Sequence, residues 1–220
     1  MPAPPDVVAF DVIETLFSLT SLEPRLAEAG GSAATMQLWF ARLLADGFAL
    51  TVASDYRSFR EVAKASLHAV LPDAHDKALD HVVAGLAELD AYPDAAPAMG
   101  RCVEGARVIV LTNGSRTSTE KLLARGGLDA FCEAVVSAED VGTWKPAPAT
   151  YLRAAEVAGV TPEALAMVTV HSWDVHGAHR SGLTTGWCSR LEGRFRATFD
   201  PPDVEGANLL DVVEGLFTLH

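Results

Sequence analysis

The sequence predicts an α/β fold, a doubly wound and Rossmann-like parallel sheet with an all-helical segment inserted after its first strand. Over residues 93–220, short apolar runs alternate with amphipathic helical patterns, which is typical of parallel sheets with right-handed crossovers. Between residues 19 and 92, apolar residues recur only at helical spacing. We therefore expect an α/β core of residues 1–18 and 93–220, and a helical cap of residues 19–92.

The first predicted strand covers residues 7–11, a continuous apolar run that ends in an aspartate. A short helix follows, because Thr20 and Glu23 have the spacing of a capping box and Gly30-Gly31 is a typical helix end. Three longer amphipathic helices complete the segment, and the pattern predicts no strand among them.

Strands and helices alternate in the second half of the chain. Thr117 and Glu120 have capping-box spacing and predict the start of one helix, and Pro162 after Thr161 is a proline at a first helical position. The further predicted strands cover residues 106–111, 134–137, 166–170 and 185–188.

The composition is that of an ordinary soluble globular protein. Hydrophobic residues make up 49% of the 220 residues and charged residues 21%, and the formal net charge is −12. That charge argues against nucleic acids and anionic membrane surfaces as partners. Three widely separated cysteines are typical of reduced thiols, and the N-terminus has no basic segment of a signal peptide. We expect a cytoplasmic location.

Polar residues follow the predicted core strands in four clusters, at residues 11–15, 112–115, 145–146 and 169–174. Parallel strands present their C-terminal ends at one edge of a sheet, where open α/β sheets bind their ligands. One such cluster would indicate only a turn. Four clusters with one lysine and two aspartates predict an active site, in which Asp11 is the candidate nucleophile.

These motifs, in this order and over the whole chain, resemble those of the haloacid dehalogenase superfamily, including the position of a helical cap. Within it they most resemble the type II 2-haloacid dehalogenases. The matching segments are Phe10-Asp11-x-x-x-Thr15-Leu16-Phe17, Leu111-Thr112-Asn113-Gly114-Ser115, Lys145-Pro146 with Tyr151, and Ser172-Trp173-Asp174-x-x-Gly177-Ala178.

The resemblance implies a hydrolase in which Asp11 displaces halide from a short 2-haloacid and water then hydrolyses the resulting ester. Lys145 would keep Asp11 ionised and offset the charge of an anionic substrate. Asp174 would hold Lys145 or position the water, and His171 could act as the base for that water, since a histidine titrates near neutrality. The residues expected to bind the substrate are Thr15, Thr112, Asn113, Trp39, Phe40, Phe59 and Trp173.

Ile13 separates this reaction from its main alternative. Phosphatases of the superfamily resemble one another in having a second aspartate two residues after the nucleophile, which protonates the leaving alcohol. Isoleucine cannot do this, and the loss would forfeit about 10²–10⁴-fold in rate, whereas halide needs no proton. Glu14 is adjacent but should point away from Asp11 in an extended segment. The alternatives are a Mg²⁺-dependent phosphatase acting on a small phosphoester, and a relative with lost or changed activity.

The site is expected to need no metal and no cofactor, with Mg²⁺ required only under the phosphatase alternative. In metal-dependent relatives, two acids of the last motif help to hold Mg²⁺, and here the first of those positions is Thr169. Few carboxylates remain for a hard cation. The helical segment also offers apolar surface for a possible homodimer.

Two residues depart from the dehalogenase pattern. Phe40, after Leu38-Trp39, occupies the position at which these enzymes resemble one another in carrying an arginine, and His171 replaces the usual asparagine. Loss of a guanidinium that grips an anion removes a charge-assisted contact of about 1.5–3 kcal/mol. The nucleophile is therefore better defined by the sequence than the substrate is.

Overall fold

The structure is a computed structural model that describes residues 4–219. The strands are β1 (Val7–Phe10), β2 (Phe17–Ser18), β3 (Asp90–Ala91), β4 (Arg107–Thr112), β5 (Ala134–Ser137), β6 (Leu165–Thr169), β7 (Thr184–Cys188) and β8 (Val204–Gly206). The helices are α1 (Glu23–Glu28), α2 (Ala33–Val52), α3 (Phe59–Val70), α4 (Asp76–Ala84), α5 (Ala95–Cys102), α6 (Arg116–Gly126), α7 (Pro148–Ala158), α8 (Ser172–Arg180) and α9 (Leu209–Phe217).

A six-stranded sheet in the order β5-β4-β1-β6-β7-β8 forms the centre of the molecule. All of its strand pairs are parallel, and β1 pairs with β4 on one side and β6 on the other. The chain builds β4 and β5 on one side of β1 and β6 to β8 on the other. The direction of strand order thus reverses next to β1, which is where such sheets form a ligand-binding crevice. The predicted α/β fold class is confirmed.

Both faces of the sheet are covered, which explains why β1 is a continuous apolar run. Val8 and Phe10 pack in the larger apolar cluster, which contains the buried side chains of α5 and α9. Val7 and Ala9 pack on the opposite face, in a cluster that contains the buried side chains of α7. Because β1 is held on both faces and both edges, the residue that follows it has a fixed position.

The helices α1 to α4 form a region that two neighbouring connections join to the sheet. These connections contain β2 and β3, which pair antiparallel with Phe17 opposite Ala91 and Ser18 opposite Asp90. The expectation of a wholly helical segment up to residue 92 was therefore wrong at β3. A strand of two residues is too short to produce an alternating pattern. The division into a core and a cap domain stays a prediction.

Two predicted helix caps were wrong. Thr20 caps no helix: it lies inside a short 3₁₀ helix, Leu19–Leu22, which Ser18 caps by accepting a hydrogen bond from the Thr20 N–H, and α1 begins only at Glu23. Likewise Ser115, not Thr117, caps α6, since its hydroxyl accepts from the backbone of Ser118 at 3.2 Å. In both places the capping residue is the one with extended backbone at the end of the preceding segment.

The predicted strands lie within one residue of the observed ones, and β8 was not predicted because it has only three residues. Cys102, Cys132 and Cys188 form no disulfide. Among the helices of residues 4–219, none combines the length and the apolar character needed to cross a membrane.

Candidate active site

Asp11 lies at the C-terminal end of β1, at the centre of the sheet edge. Its backbone N–H donates to the Val168 carbonyl oxygen of β6 at 3.0 Å, and only 6% of the residue is exposed. Thr15 donates its hydroxyl to Asp11 Oδ2 at 2.7 Å, and the same hydroxyl oxygen accepts from the Val170 N–H at 3.2 Å. Thr15 thus connects the carboxylate of Asp11 to the end of β6.

Lys145 supplies the positive charge of the site and is fully buried. Its ammonium donates to Asp11 Oδ1 and Asp174 Oδ2 at 2.8 Å each, and to the Leu111 carbonyl oxygen at 3.0 Å. An ammonium has three hydrogens to donate, so all of them are used. A buried charge is tolerated only with partners of this kind.

The charges of this cluster are mutually stabilised. Burial raises the pKa of Asp11, but the Lys145 ammonium, His171 and the hydrogen bond from Thr15 together hold it below its ordinary value. Burial lowers the pKa of Lys145, and the two neighbouring carboxylates more than offset this and raise it. At neutral pH Asp11 is therefore an anion and Lys145 a cation.

Asp174 is held on both carboxylate oxygens. Lys145 contacts one oxygen, and the Tyr151 hydroxyl donates to Oδ1 at 2.7 Å. Burial, followed by the Asp174 charge, raises the pKa of Tyr151 well above its ordinary value, so the phenol remains a donor. Burial raises the pKa of Asp174, and the like charge of Asp11 adds to this against the opposing effect of Lys145. Asp174 thus lies behind Lys145 and fixes its position.

Asn113 and Thr112 shape the loops beside Asp11. The Asn113 side chain accepts from the Lys145 N–H at 2.7 Å and donates to the Lys145 carbonyl oxygen at 3.3 Å. Thr112 Oγ1 accepts from the Gly114 N–H at 2.9 Å. One amide hydrogen of Asn113 and the hydroxyl hydrogen of Thr112 remain for a ligand.

His171 lies in the loop between β6 and α8 and reaches the Asp11 carboxylate. Its Nε2 lies 3.3 Å from the Ile13 carbonyl oxygen and 3.6 Å from Asp11 Oδ2. The ring stacks on Trp173 with centroids 5.2 Å apart, and the Phe40 ring lies 6.1 Å away. The imidazole is thus held between aromatic side chains with one nitrogen directed towards the Asp11 loop.

Side chains of α2 and α3 cover Asp11 from the opposite side. Phe40 and Leu44 come from α2, and Phe59 of α3 stacks on Trp144 with centroids 5.3 Å apart. Between this wall and the sheet edge lies a cavity of about 20 Å³. Its lining consists of Asp11, Ile13, Phe40, Leu44, Phe59, Thr112, Asn113, Gly114, His171 and Trp173.

Trp39 does not reach this cavity, so its expected role as a substrate wall was wrong. It is fully buried inside the helical region, where its indole N–H donates to the Ala63 carbonyl oxygen at 2.9 Å. Leu44 lines the cavity but was not predicted. It lies four residues after Phe40, on the same face of the helix, and that spacing could have indicated it.

Glu14 is buried but does not serve the cavity. Its carboxylate accepts from the Leu19 N–H at 2.7 Å and from the Tyr92 hydroxyl at 3.2 Å. The residue has a positive φ of 66°, which turns it away from the line of the strand. The side chain that faces the cavity next to Asp11 is Ile13, which has no proton to transfer.

The residues present do not fit a Mg²⁺ ion between Asp11 and Asp174. The Lys145 ammonium already lies 2.8 Å from a carboxylate oxygen of each, in the place that a bridging cation would need. Throughout residues 4–219, no three His, Cys, Asp or Glu side chains are grouped so as to hold a metal ion. Oxygen ligands for a hard cation are therefore insufficient.

Comparison with known proteins identifies the family. A family model described as haloacid dehalogenase-like hydrolase matches residues 5–182. The chain belongs to the haloacid dehalogenase-like hydrolases. The chain is also similar to individual proteins. It is 30% identical over 217 residues to (S)-2-haloacid dehalogenase 4A of Burkholderia cepacia, and the match covers 96% of this chain and 91% of that protein.

Two further similarities also extend over almost the whole chain. (S)-2-haloacid dehalogenase of Pseudomonas sp. strain YL is 28% identical, with 94% of this chain and 92% of the relative covered. The solved structure of L-2-haloacid dehalogenase from Xanthobacter autotrophicus, with chloropropionic acid covalently bound, superimposes with a TM-score of 0.90. The two sequences are 23% identical, and the superposition covers 98% of this chain and 99% of that chain. At this identity the similarity supports the fold alone.

Proposed function

We propose that this haloacid dehalogenase-like hydrolase releases halide from a short 2-haloalkanoic acid through an aspartyl ester. The observation that carries the proposal is an ionised, buried Asp11, held by Lys145 and Thr15, with Ile13 in place of a proton donor. Such a carboxylate suits displacement of a leaving group that departs as an anion. The similarity to 2-haloacid dehalogenases along almost the whole chain supports it.

In the proposed first step a carboxylate oxygen of Asp11 attacks C2 of the substrate from the side opposite the halogen. The new C–O bond forms as the carbon–halogen bond breaks, and its electron pair leaves with the halide. No proton moves in this step. The configuration at C2 is inverted. The free hydrogens of Asn113 and Thr112 are the donors proposed for the substrate carboxylate or the halide.

In the second step water attacks the carbonyl carbon of the Asp11 ester, and the acyl C–O bond breaks to release the 2-hydroxyacid. His171 is proposed to take a proton from that water and to return it to the alkoxide oxygen as the acyl C–O bond breaks, because its Nε2 lies 3.6 Å from Asp11 Oδ2. Asp11 is left as a carboxylic acid and loses its proton to solvent. The Lys145 ammonium would stabilise the charge that develops on the ester oxygen. Asp174 and Tyr151 are proposed to hold Lys145 in place for both steps.

The test is halide release from 2-chloropropionate and 2-bromopropionate, with EDTA present and no metal added. The wild-type protein should release halide and Asp11→Asn should not. Circular dichroism should show that both proteins are folded. Retention of full halide release by Asp11→Asn would overturn the assignment of Asp11 as the nucleophile. EDTA-sensitive release of phosphate from a panel of small phosphoesters, without halide release, would favour the phosphatase alternative instead.

A further inference from the structure

A second and larger cavity lies against the helical wall of the site, that is, the side chains of Phe40, Leu44 and Phe59. It is a groove of about 600 Å³ between α2 and the loop that follows β7. Phe40, Leu44, His171 and Trp173 line both this groove and the cavity at Asp11. The two spaces are therefore separated by a wall only one side chain thick.

The groove is mainly apolar, and of its charged side chains (Glu14, Glu23, Glu192 and Arg196) Glu192 and Arg196 form an ion pair. Its α2 side is formed by Met36, Phe48 and the small exposed side chains of Ala41 and Ala45, in addition to the shared wall. On the other side, Glu192 accepts from the Ser172 N–H at 3.2 Å and lies 3.6 Å from Arg196. An apolar group could thus enter without separating a charge from its partner in this pair.

The cavity at Asp11 is too small for any 2-haloacid, short or long, unless its wall moves. Its volume of about 20 Å³ corresponds to little more than one water molecule. An alkyl substituent on C2 must therefore extend out of it, and the groove is the apolar space on the far side of Phe40 and Leu44. A phenylalanine at position 40 makes this wall apolar, where an arginine would place a charge.

We propose that the groove binds the alkyl substituent of a medium-chain 2-haloacid. Phe40 and Leu44 are then the specificity-determining residues, and the alkyl substituent displaces their side chains as it enters the groove. This proposal rests on the proposed function and adds the substrate class to it. Each methylene group removed from water strengthens binding by about fourfold. Several methylene groups in the groove should therefore produce a clear preference for the longer acid.

The test compares kcat/KM for halide release from 2-bromooctanoate and 2-bromopropionate. We expect the wild-type protein to prefer the octanoate by about tenfold or more. Ala45→Phe fills the groove from an exposed position of α2, and should lower kcat/KM for the octanoate by about tenfold while changing that for the propionate by less than about twofold. Ala34→Phe, also exposed on α2 but outside the groove, is the matched control and should change neither.

The possible failures are distinct. Halide release from the propionate without a preference for the octanoate would overturn the groove proposal and leave the proposed function intact. If neither acid releases halide, the proposed function fails, and calorimetry with octanoate and propionate as non-reactive probes decides on the groove. Octanoate binding that Ala45→Phe abolishes would support it, and absence of octanoate binding to the wild-type protein would overturn it.

Discussion

The sheet edge and the helical wall enclose the same cavity but differ in chemistry. On the sheet edge, Asp11, Lys145 and Asp174 form one hydrogen-bonded cluster in which every donor of the ammonium is used. The helical wall presents Phe40, Leu44 and Phe59, which offer no hydrogen bonds. We propose from this difference that the sheet edge determines which reaction is possible, and that the helical wall determines which substrate can reach it.

The two regions also differ in how the chain fixes them. Residues at the sheet edge are positioned by the ends of paired strands, as shown by the bond from the Asp11 N–H to the Val168 carbonyl oxygen. The helical wall is positioned by packing across the cavity, where Phe59 stacks on Trp144, the residue before Lys145. Trp144 also donates its indole N–H to the Arg57 carbonyl oxygen at 3.0 Å. Substitutions in the two regions should therefore have separable effects.

The largest effect is expected at Lys145. Lys145→Met removes the ammonium that contacts both Asp11 and Asp174 and leaves two buried carboxylates beside each other. We expect the free energy of unfolding to fall by about 3–5 kcal/mol and halide release to be lost, as measured by urea denaturation and a halide assay. Lys121→Met, at an exposed position of α6, is the control. Stability and activity like those of the wild type would contradict the role assigned to the cluster.

The next effect tests the helical wall. Phe40→Arg introduces a guanidinium beside the cavity, which can bind the substrate carboxylate or the halide. A charge-assisted contact of about 1.5–3 kcal/mol should raise kcat/KM for 2-chloropropionate by about 10- to 100-fold. The same variant should reduce any preference for 2-bromooctanoate, because the wall becomes charged. Leu38→Arg places the charge at an exposed position of α2 outside the cavity and should change neither value. Unchanged selectivity in Phe40→Arg would show that this wall does not select the substrate.

A smaller effect is expected where the two regions meet. A Cβ at Gly47 of α2 would overlap the Trp144 indole, whereas a Cβ at Gly100 of α5 would make only an ordinary contact of 3.7 Å with Phe131. Overpacking costs about 1–3 kcal/mol, which outweighs the gain of about 1 kcal/mol from replacing glycine in a helix. Urea denaturation should therefore show that Gly47→Ala is destabilised and that Gly100→Ala is not. The reverse order would exclude a tight contact at Trp144.

The smallest effect is expected from pH and concerns Asp11. Because the pKa of Asp11 is held below its ordinary value, the stabilisation from its ion pair is present above about pH 3.9 and is lost only as the pH falls through the lowered pKa. Asp11 therefore stays ionised between pH 5 and 8. The rate of formation of the Asp11 ester, measured as halide release in a single turnover, should be constant over this range, because no proton moves in that step. A rate that falls as the pH decreases from 8 to 5 would contradict an ionised nucleophile.

The sheet edge was easier to predict from the sequence than the helical wall. Apolar runs define where strands end, so the convergence of Asp11, Lys145 and Asp174 follows from the topology of a parallel sheet. Periodicity shows that α2 is a helix but not which way it is rotated against the sheet. Trp39 and Phe40 are adjacent, and only the packing of Trp39 beneath α3 reveals that Phe40 is the residue that faces the cavity.

The central claim is that Asp11 becomes covalently attached to the substrate, and isotope labelling tests it most directly. With protein in excess over 2-chloropropionate in H₂¹⁸O, a single turnover should give lactate whose new hydroxyl oxygen is ¹⁶O from Asp11. Mass spectrometry of the peptide containing Asp11 should then show one ¹⁸O atom in its carboxylate. Lactate that carries ¹⁸O in its hydroxyl after the first turnover, with an unlabelled Asp11, would contradict the account, because water would then have attacked the substrate directly.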